Sequence, residues 1–320
     1  MDARRGADLP TAAGARRDGA AVTHRVCVIA NPAAGRGRGS RLLPRVKAAF
    51  AAHGVTDVRV STGPGQEGEL ARRAIEEGFD TLVAVGGDGT WSNVANQILS
   101  SGADVRLALL AGGTGCDFAK TTGSPAGDPE ATARLAAEGP DTRVDVGRIE
   151  DRHFLNVSGF GFDIAVLEDV GRIPLLRGNA LYMFSAGRQL FGYRGVDIGL
   201  TSSAGTWRGR HLMLIVANAR NFGGAFAIAP GASLTDGMLD AVSILDASAA
   251  RRISIFTAAI KGTHVTAPEV KVEQARAFTL DFDSPPAYET DGEYNRASSA
   301  RLEITSLPAA LRVVTPGVPA

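Results

Sequence analysis

Cysteine is nearly absent: Cys27 and Cys116 are the only two in 320 residues. One lies in a strand-like apolar run and the other beside a glycine turn, which argues against a disulfide framework or a structural zinc site. Net charge is absent as well, with 34 Lys and Arg against 34 Asp and Glu. A balanced chain predicts no nucleic acid or other polyanion as partner. A bilayer span needs roughly 20 apolar residues, and the longest apolar run is only LMLIVANA, from Leu212. The first twenty residues lack the apolar core of a signal peptide, and 1–22 read as a disordered tail. These absences predict a soluble, cytoplasmic protein. No internal repeat is visible. Neither GxxxxGK[ST] nor GxGxxG occurs, so the P-loop and Rossmann readings lose their main support.

What is present is order along the chain. Residues 1–50 hold ten basic and three acidic residues, while 281–293 hold five acids and no base. Such patches either face each other across a cleft or are solvated surface. From RVCVIA (25–30) onward, strand-like and helical patterns alternate. Leu42, Leu43, Val46, Ala49 and Phe50 recur at helical spacing after the first strand, and Trp91, Val94, Ala95, Ile98 and Leu99 do so after TLVAV. Asp128-Pro129 reads as the N-cap and first turn of a helix that Gly139 ends. Alternation of this kind predicts a parallel sheet in a three-layer α/β domain over 23–142. Beyond it the runs turn β-rich, beginning with TRVDVGRI and HFLNVSGFG around a Glu150-Asp151 hairpin turn. VDIGLT, MLDAVSIL, RAFTLDFD and ARLEITS follow, with helical stretches near 163–192 and 247–262. The expectation for 143–306 is a β-rich, sandwich-like second domain, with a cleft between the two. The helix near 173–194 mixes apolar residues with arginines, which suits a membrane surface or a core helix with snorkelling side chains.

Three glycine turns close successive strands of the first domain: Asn31-Pro32-Ala33-Ala34-Gly35, Gly86-Gly87-Asp88-Gly89-Thr90 and Gly112-Gly113-Thr114-Gly115. Open α/β sheets bind ligands beyond the carboxyl ends of their strands. Glycine lets backbone N–H groups approach a phosphate, and a following helix adds its positive end. One such loop is also what any tight turn uses; three at one edge point to a polyphosphate. An aspartate among them repels phosphate directly but suits Mg²⁺ or a Mg²⁺-bound water.

NPAAG, GGDGTWSNVANQIL, GGTGCDFAK, RVDVGR, GFGFDIAV, NFGGAFAIAPGASLTDGMLD and TDGE, in that order, resemble the diacylglycerol kinase catalytic-domain family in its soluble bacterial lipid-kinase form. The resemblance covers about 25–315. It places the chain in the same superfamily as NAD kinase and sphingosine kinase. It implies an ATP- and Mg²⁺-dependent kinase acting on a hydroxyl of a diacylglycerol-like or sphingoid lipid. ATP would lie across Asn31, Pro32, Ala33, Ala34, Gly35, Thr62, Gly86, Gly87, Asp88, Gly89, Thr90, Trp91, Ser92, Asn93, Gly113 and Thr114. Asp88, Asp117 and Asp145 would form a carboxylate, water and Mg²⁺ network, and Glu293 would be the general base. Ser233, Asp236 and Met238 (through its carbonyl) match a second, structural Mg²⁺ site. The segment 307–320 would return to the first domain. The implied partners are a lipid substrate and a transient membrane surface, with a homodimer left open.

Two positions depart from the family pattern. Cys116 stands where an Asn is common, and Ser92-Asn93 replaces a common Asn-Glu pair, which removes polar contacts near the nucleotide. Read without the family, Asp291-Gly292 and Asp236-Gly237 are ordinary hairpin turns and Asp145 a surface position of an alternating strand. Cys116 reads as a small turn residue rather than a nucleophile. Two other functions stay open: a soluble-metabolite kinase of the NAD kinase type, and a nucleotide-responsive lipid-binding protein without turnover.

Overall fold

A computed structural model describes residues 24–113, 115–170 and 179–318. The tail expected over 1–22 lies outside them, as do Thr114 and part of the helix expected near 173–194. Strands β1 (Val26–Ala30), β2 (Val58–Val60), β3 (Thr81–Gly86) and β4 (Arg106–Ala111) pair in parallel in the order β4-β3-β1-β2. β1, β3 and β4 are almost continuously apolar because both of their faces are covered. On one face Cys27, Ile29, Leu82, Ala84, Leu107 and Leu109 pack against Ala71, Ala74, Trp91, Val94 and Ile98. Those partners come from α2 (Gln66–Glu76) and α3 (Asp88–Ser101). The other face meets Val46, Ala49 and Phe50 of α1 (Ala34–Ala51) and Ala133 and Ala136 of α5 (Pro129–Glu138). The short α4 (Asp117–Thr122) follows the turn after β4. The result is the three-layer α/β unit. Asp128 caps α5 by accepting from the N–H groups of Glu130 and Ala131.

The second half begins with β5 (Asp141–Ile149), β6 (Arg152–Phe154) and β7 (Val157–Gly161), then α6 (Phe162–Val170) and α7 (Asn179–Gly192). Next come β8 (Val196–Ser202), β9 (Gly205–Ala217), β10 (Leu239–Leu245) and α8 (Ala249–Ala259). The chain ends with β11 (Val270–Ala275), β12 (Ala277–Asp281), β13 (Ala287–Thr290), β14 (Glu293–Arg296) and β15 (Arg301–Val314). The pairings within this half are antiparallel. The sandwich character is visible in β9, where Leu214 and Val216 join Phe160, Phe278, Leu280 and Ile304 in one core. The alternate residues Met213, Ile215 and Ala217 join Val242, Ile228 and Ile255 in another. A strand buried on both sides reads as an unbroken apolar run, which is why the sequence shows LMLIVA there.

β15 ties the halves together. It pairs antiparallel with β12 and β5, and its end pairs parallel with β4, Arg312 opposite Arg106. One hydrogen-bonded sheet therefore passes through both halves. The carboxyl ends of β1, β3 and β4 lie on one side of the junction with the β13–β14 hairpin on the other.

Candidate active site

The three glycine loops pack on one another. Asn31 Nδ2 donates to Thr90 Oγ1 at 3.2 Å, and Asn31 Oδ1 accepts from Ala33 N. Gly35 has φ +57°, and a Cβ there would stand 2.2 Å from the carbonyl oxygen of Gly112. A Cβ on Gly113 would stand 2.8 Å from Gly87 Cα. The loops are glycine-rich in part because any side chain between them would part them. Pro32, Ala34, Gly86 and Gly87 lie on these same loops. Thr62 donates to Gln66 Oε1 through both its N–H and its hydroxyl, which fastens it to the first residue of α2.

Trp91 does not present its side chain to this edge. It is fully buried between α3 and the sheet, its indole N–H donating to Ala84 O at 3.0 Å. Its place on the inward face of α3 decides this. Ser92 is buried in the same helix, its carbonyl accepting from Asn96, with Asn93 half-buried beside it.

Asp88 opens α3 and is aimed at the start of α4, Oδ1 accepting from the N–H groups of Asp117 at 2.8 Å and Phe118 at 3.3 Å. Burial, then the nearby Asp117 charge, pushes its carboxyl above the usual range while the backbone N–H groups pull the other way. Asp117 accepts from Lys120 Nζ and from Gly224 N, each at 2.8 Å. Lys120 also donates to Gly224 O. The third glycine loop is thus fastened to residues of the second half. Cys116, with φ +54°, caps α4, and burial pushes its thiol up to about 11, as suits an inert turn residue.

Asp145 leaves the network expected for it. It is 2% exposed, lies on β5, and its two oxygens accept from Gly237 N at 2.6 Å and Ala309 N at 2.7 Å. The carboxylate fastens the 233–238 turn to β15, and it does not line the cavity that Asp88 and Asp117 share. A lone Asp in an alternating strand gives no sign of which turn its side chain will reach. Asp236 accepts from Met238 N at 2.9 Å and Gln274 Nε2 at 3.0 Å, and Ser233 Oγ lies 3.4 Å from Thr235 N. Ser233, Asp236 and Met238 share this one turn and none lines the cavity. Among the described residues no three His, Cys, Asp or Glu side chains cluster as a metal centre.

Glu293 is the first residue of β14, directly after a two-residue hairpin turn in which Asp291 and Gly292 both have positive φ, 51° and 88°. Asp291 anchors the turn, its carboxylate accepting from the N–H groups of Leu155 and Asn156, both at 2.8 Å, and of Val157 at 3.2 Å. Burial nevertheless pushes Asp291 up to about 6. The turn carries Glu293 to the first half: Oε1 stands 3.7 Å from where a Cβ on Gly89 would be, so a side chain at 89 would begin to fill the gap. Burial raises the Glu293 carboxyl, opposed by the charge of Arg152.

Between the halves lies a cavity of about 360 Å³ lined by five carboxylic acids, Asp88, Asp117, Asp163, Glu289 and Asp291. Asp163 and Glu289 were not singled out from the sequence. Asp163 opens α6 and Glu289 lies on β13, buried around Gly159, where a Cβ would stand 2.0 Å from Asp163 Oδ2 and 2.7 Å from Glu289 Oε1. Burial, with Asp163 acting on Glu289, raises both carboxyls well above the usual range. The available signals were GFGFD, where Asp follows a glycine-rich strand, and the acid two residues before Asp291.

Two family models match the chain. The diacylglycerol kinase catalytic domain matches residues 25–149, and the YegS C-terminal NAD kinase beta sandwich-like domain matches residues 156–315. Over 299 residues the chain is 29% identical to a diacylglycerol kinase of Mycobacterium tuberculosis, a match covering 91% of this chain and 95% of that one. Over 272 residues it is 26% identical to a diacylglycerol kinase of Bacillus subtilis, covering 84% and 90%. The fold matches the crystal structure of a diacylglycerol kinase from Bacillus anthracis with a TM-score of 0.70 at 19% identity, covering 92% of this chain and 97% of that one.

Proposed function

The chain belongs to the diacylglycerol kinase catalytic-domain family, and from that premise we propose an ATP- and Mg²⁺-dependent lipid kinase that phosphorylates a hydroxyl of a lipid acceptor. One observation carries the reading. Glu293, on a hairpin of the second half, reaches the N-terminus of α3, its Oε1 3.7 Å from where a Cβ on Gly89 would stand, in the second of the three glycine loops.

ATP would rest its phosphates on the loops at Asn31–Gly35, Gly86–Thr90 and Gly113. Backbone N–H groups and the positive end of α3 suit the negative charge there. The acceptor hydroxyl would lie against Glu293. As its oxygen forms a bond to the γ-phosphorus, the bond from that phosphorus to the bridging oxygen breaks and ADP leaves, while the hydroxyl proton passes to the Glu293 carboxylate. Asp88, with Asp117 beside it, is a hard oxygen donor of the kind Mg²⁺ prefers, and bound Mg²⁺ would neutralise charge on the phosphates. Asp88 Oδ1 is held by the start of α4, which fixes the carboxylate's direction. The all-oxygen set of Ser233, Asp236 and the Met238 carbonyl likewise suits a structural Mg²⁺ in the second half. Phe191, Ile253 and Ile260, each exposed on α7 or at α8, would supply apolar contacts to a membrane surface.

The test is transfer of radiolabelled γ-phosphate from ATP to a panel of lipids and to NAD, with and without Mg²⁺. Label in a lipid supports the reading. Label in NADP alone transfers the protein to the soluble-metabolite kinases.

A further inference from the structure

Among the carboxylic acids of the cavity, three accept backbone N–H groups: Asp88 through Oδ1, Asp117 through Oδ2 and Asp291 through both oxygens. Three other residues leave buried oxygens unpaired. Both oxygens of Asp163, Oε1 of Glu289 and Oδ1 of Asn156 have no hydrogen-bond partner among the described residues, though these residues are 6%, 1% and 4% exposed. All three line the cavity. Buried polar atoms are almost always paired, so four unpaired ones around one space mark a place where something else binds. One proton shared by the raised carboxyls of Asp163 and Glu289 pairs at most the two oxygens that converge on Gly159, which leaves Asp163 Oδ1 and Asn156 Oδ1 as acceptors without a donor. No Lys or Arg among the described residues lines the space. The missing group is therefore a donor.

The acceptor hydroxyl alone does not meet this demand. In the proposed reaction its proton goes to Glu293, which faces Gly89 rather than Asp163. A diacylglycerol has no other donor, because the neighbouring oxygens are esters. A lipid with a hydroxyl or an ammonium on the adjacent carbon does. We infer that Asp163, Glu289 and Asn156 form the headgroup site for the acceptor and select lipid alcohols bearing a second hydrogen-bond donor beside the phosphorylated hydroxyl. This inference rests on the kinase reading above. It adds a substrate class, and it makes Glu289 and Asp163 specificity-determining residues. The raised carboxyls agree with it, since a site built for a donor is strained while the donor is missing. A site shaped around a substrate's O–H or N–H discriminates strongly against the analogue that lacks it.

The experiment compares kcat/KM for three acceptors of matched chain length in the same mixed micelles: a 1,2-diacylglycerol, a 1-monoacylglycerol and a long-chain 2-amino alcohol. At least one donor-bearing acceptor should exceed the diacylglycerol by about tenfold or more. The two arms separate hydroxyl from ammonium. In Glu289→Gln one side-chain oxygen remains to accept from Gly292 N, as Oε2 does now, while the atom facing Asp163 becomes a donor. The preference should then fall to within about threefold of unity. Asp163→Asn reaches the same group from α6 and should erode it likewise. Glu293→Gln should slow all acceptors alike and leave the ratio standing. Diacylglycerol equal to or better than both other acceptors overturns the inference while the kinase reading stands. So does a ratio unmoved in both variants. Label in no lipid at all overturns both.

Discussion

The two halves of the molecule each bring a pair of carboxylates to the same cavity, and the pairs stand in opposite conditions, while Asp291 of the β-rich half resembles the α/β pair. Asp88 and Asp117, from the α/β half, are held as they stand: Asp88 Oδ1 accepts from the start of α4, and Asp117 accepts from Lys120 and from Gly224. Asp163 and Glu289, from the β-rich half, leave three oxygens without a hydrogen-bond partner among the described residues. The first pair is built into the fold and holds its direction whether or not anything binds. The second pair is unfinished until something does. Two neighbouring acids can look alike in a sequence and differ in this way, because the difference lies in which backbone N–H groups each meets. Asp145 and Asp291 belong with the first kind, accepting two and three backbone N–H groups respectively.

Glu293 tests the comparison hardest, since it is the acid from the second half that reaches the first. Glu293→Gln keeps the shape and removes the basicity. A general base is worth about 10²–10⁴ in rate, so kcat should fall by that factor while ATP affinity changes little. A loss below about tenfold would leave the hairpin a structural feature and reduce catalysis to alignment.

Asp88→Asn is the counterpart from the first half. Asn still accepts from Asp117 N and Phe118 N, so the melting temperature should move little. Removing the charge should cost turnover about a hundredfold, the order seen when one preorganised electrostatic group is lost. Steady-state rates over a Mg²⁺ titration and a thermal melt decide it together. Wild-type turnover at equal stability would make Asp88 only a cap for α4.

Asp145→Ala should separate structure from chemistry. Two buried N–H groups, of Gly237 and Ala309, would lose their acceptor, at a cost of about 2–3 kcal/mol. For a chain of this size that lowers the melting temperature by roughly 3–5 °C. KM for ATP should hold. A large loss of turnover in the still-folded protein would return Asp145 to the catalytic network.

Much of the fold was legible because the α/β half obeys two periods at once: buried strands of five or six residues, and helices with apolar stripes. The second half was legible as β-rich, but β11, β13 and β14 were not. Ala287–Thr290 and Glu293–Arg296 are short and polar, and only the Asp-Gly between them announces the hairpin. Glycine loops and motif acids were readable because each has a local sequence context. The burial of Asp163 and Glu289 was not, because it depends on the lack of a side chain at a third residue. Gly159 leaves the space into which both carboxyls fold. Trp91 misled in the other direction, since its place in the motif suggested the ligand while its place on α3 put it in the core.

The smallest expected effect concerns pH. Burial raises the Asp163 carboxyl from its ordinary value of 3.8 to about 7. Between those values the folded protein holds a proton that the unfolded chain releases, so stability falls as pH rises. The contribution is fully present below about pH 4 and is lost as pH climbs through 7. Glu289, raised in the same direction by burial and by Asp163, adds to the slope. Asp163→Asn removes one titrating group and lets the new N–H groups donate to Glu289. The melting temperature of the variant relative to wild type should therefore rise by roughly 2–5 °C from pH 4 to pH 8. Comparing the two proteins at each pH cancels the other raised acids, among them Asp88 and Asp291. If the difference stays flat or falls with pH, the two carboxyls already share the cavity without strain. The two halves would then hold their acids alike, and the contrast between them would be lost.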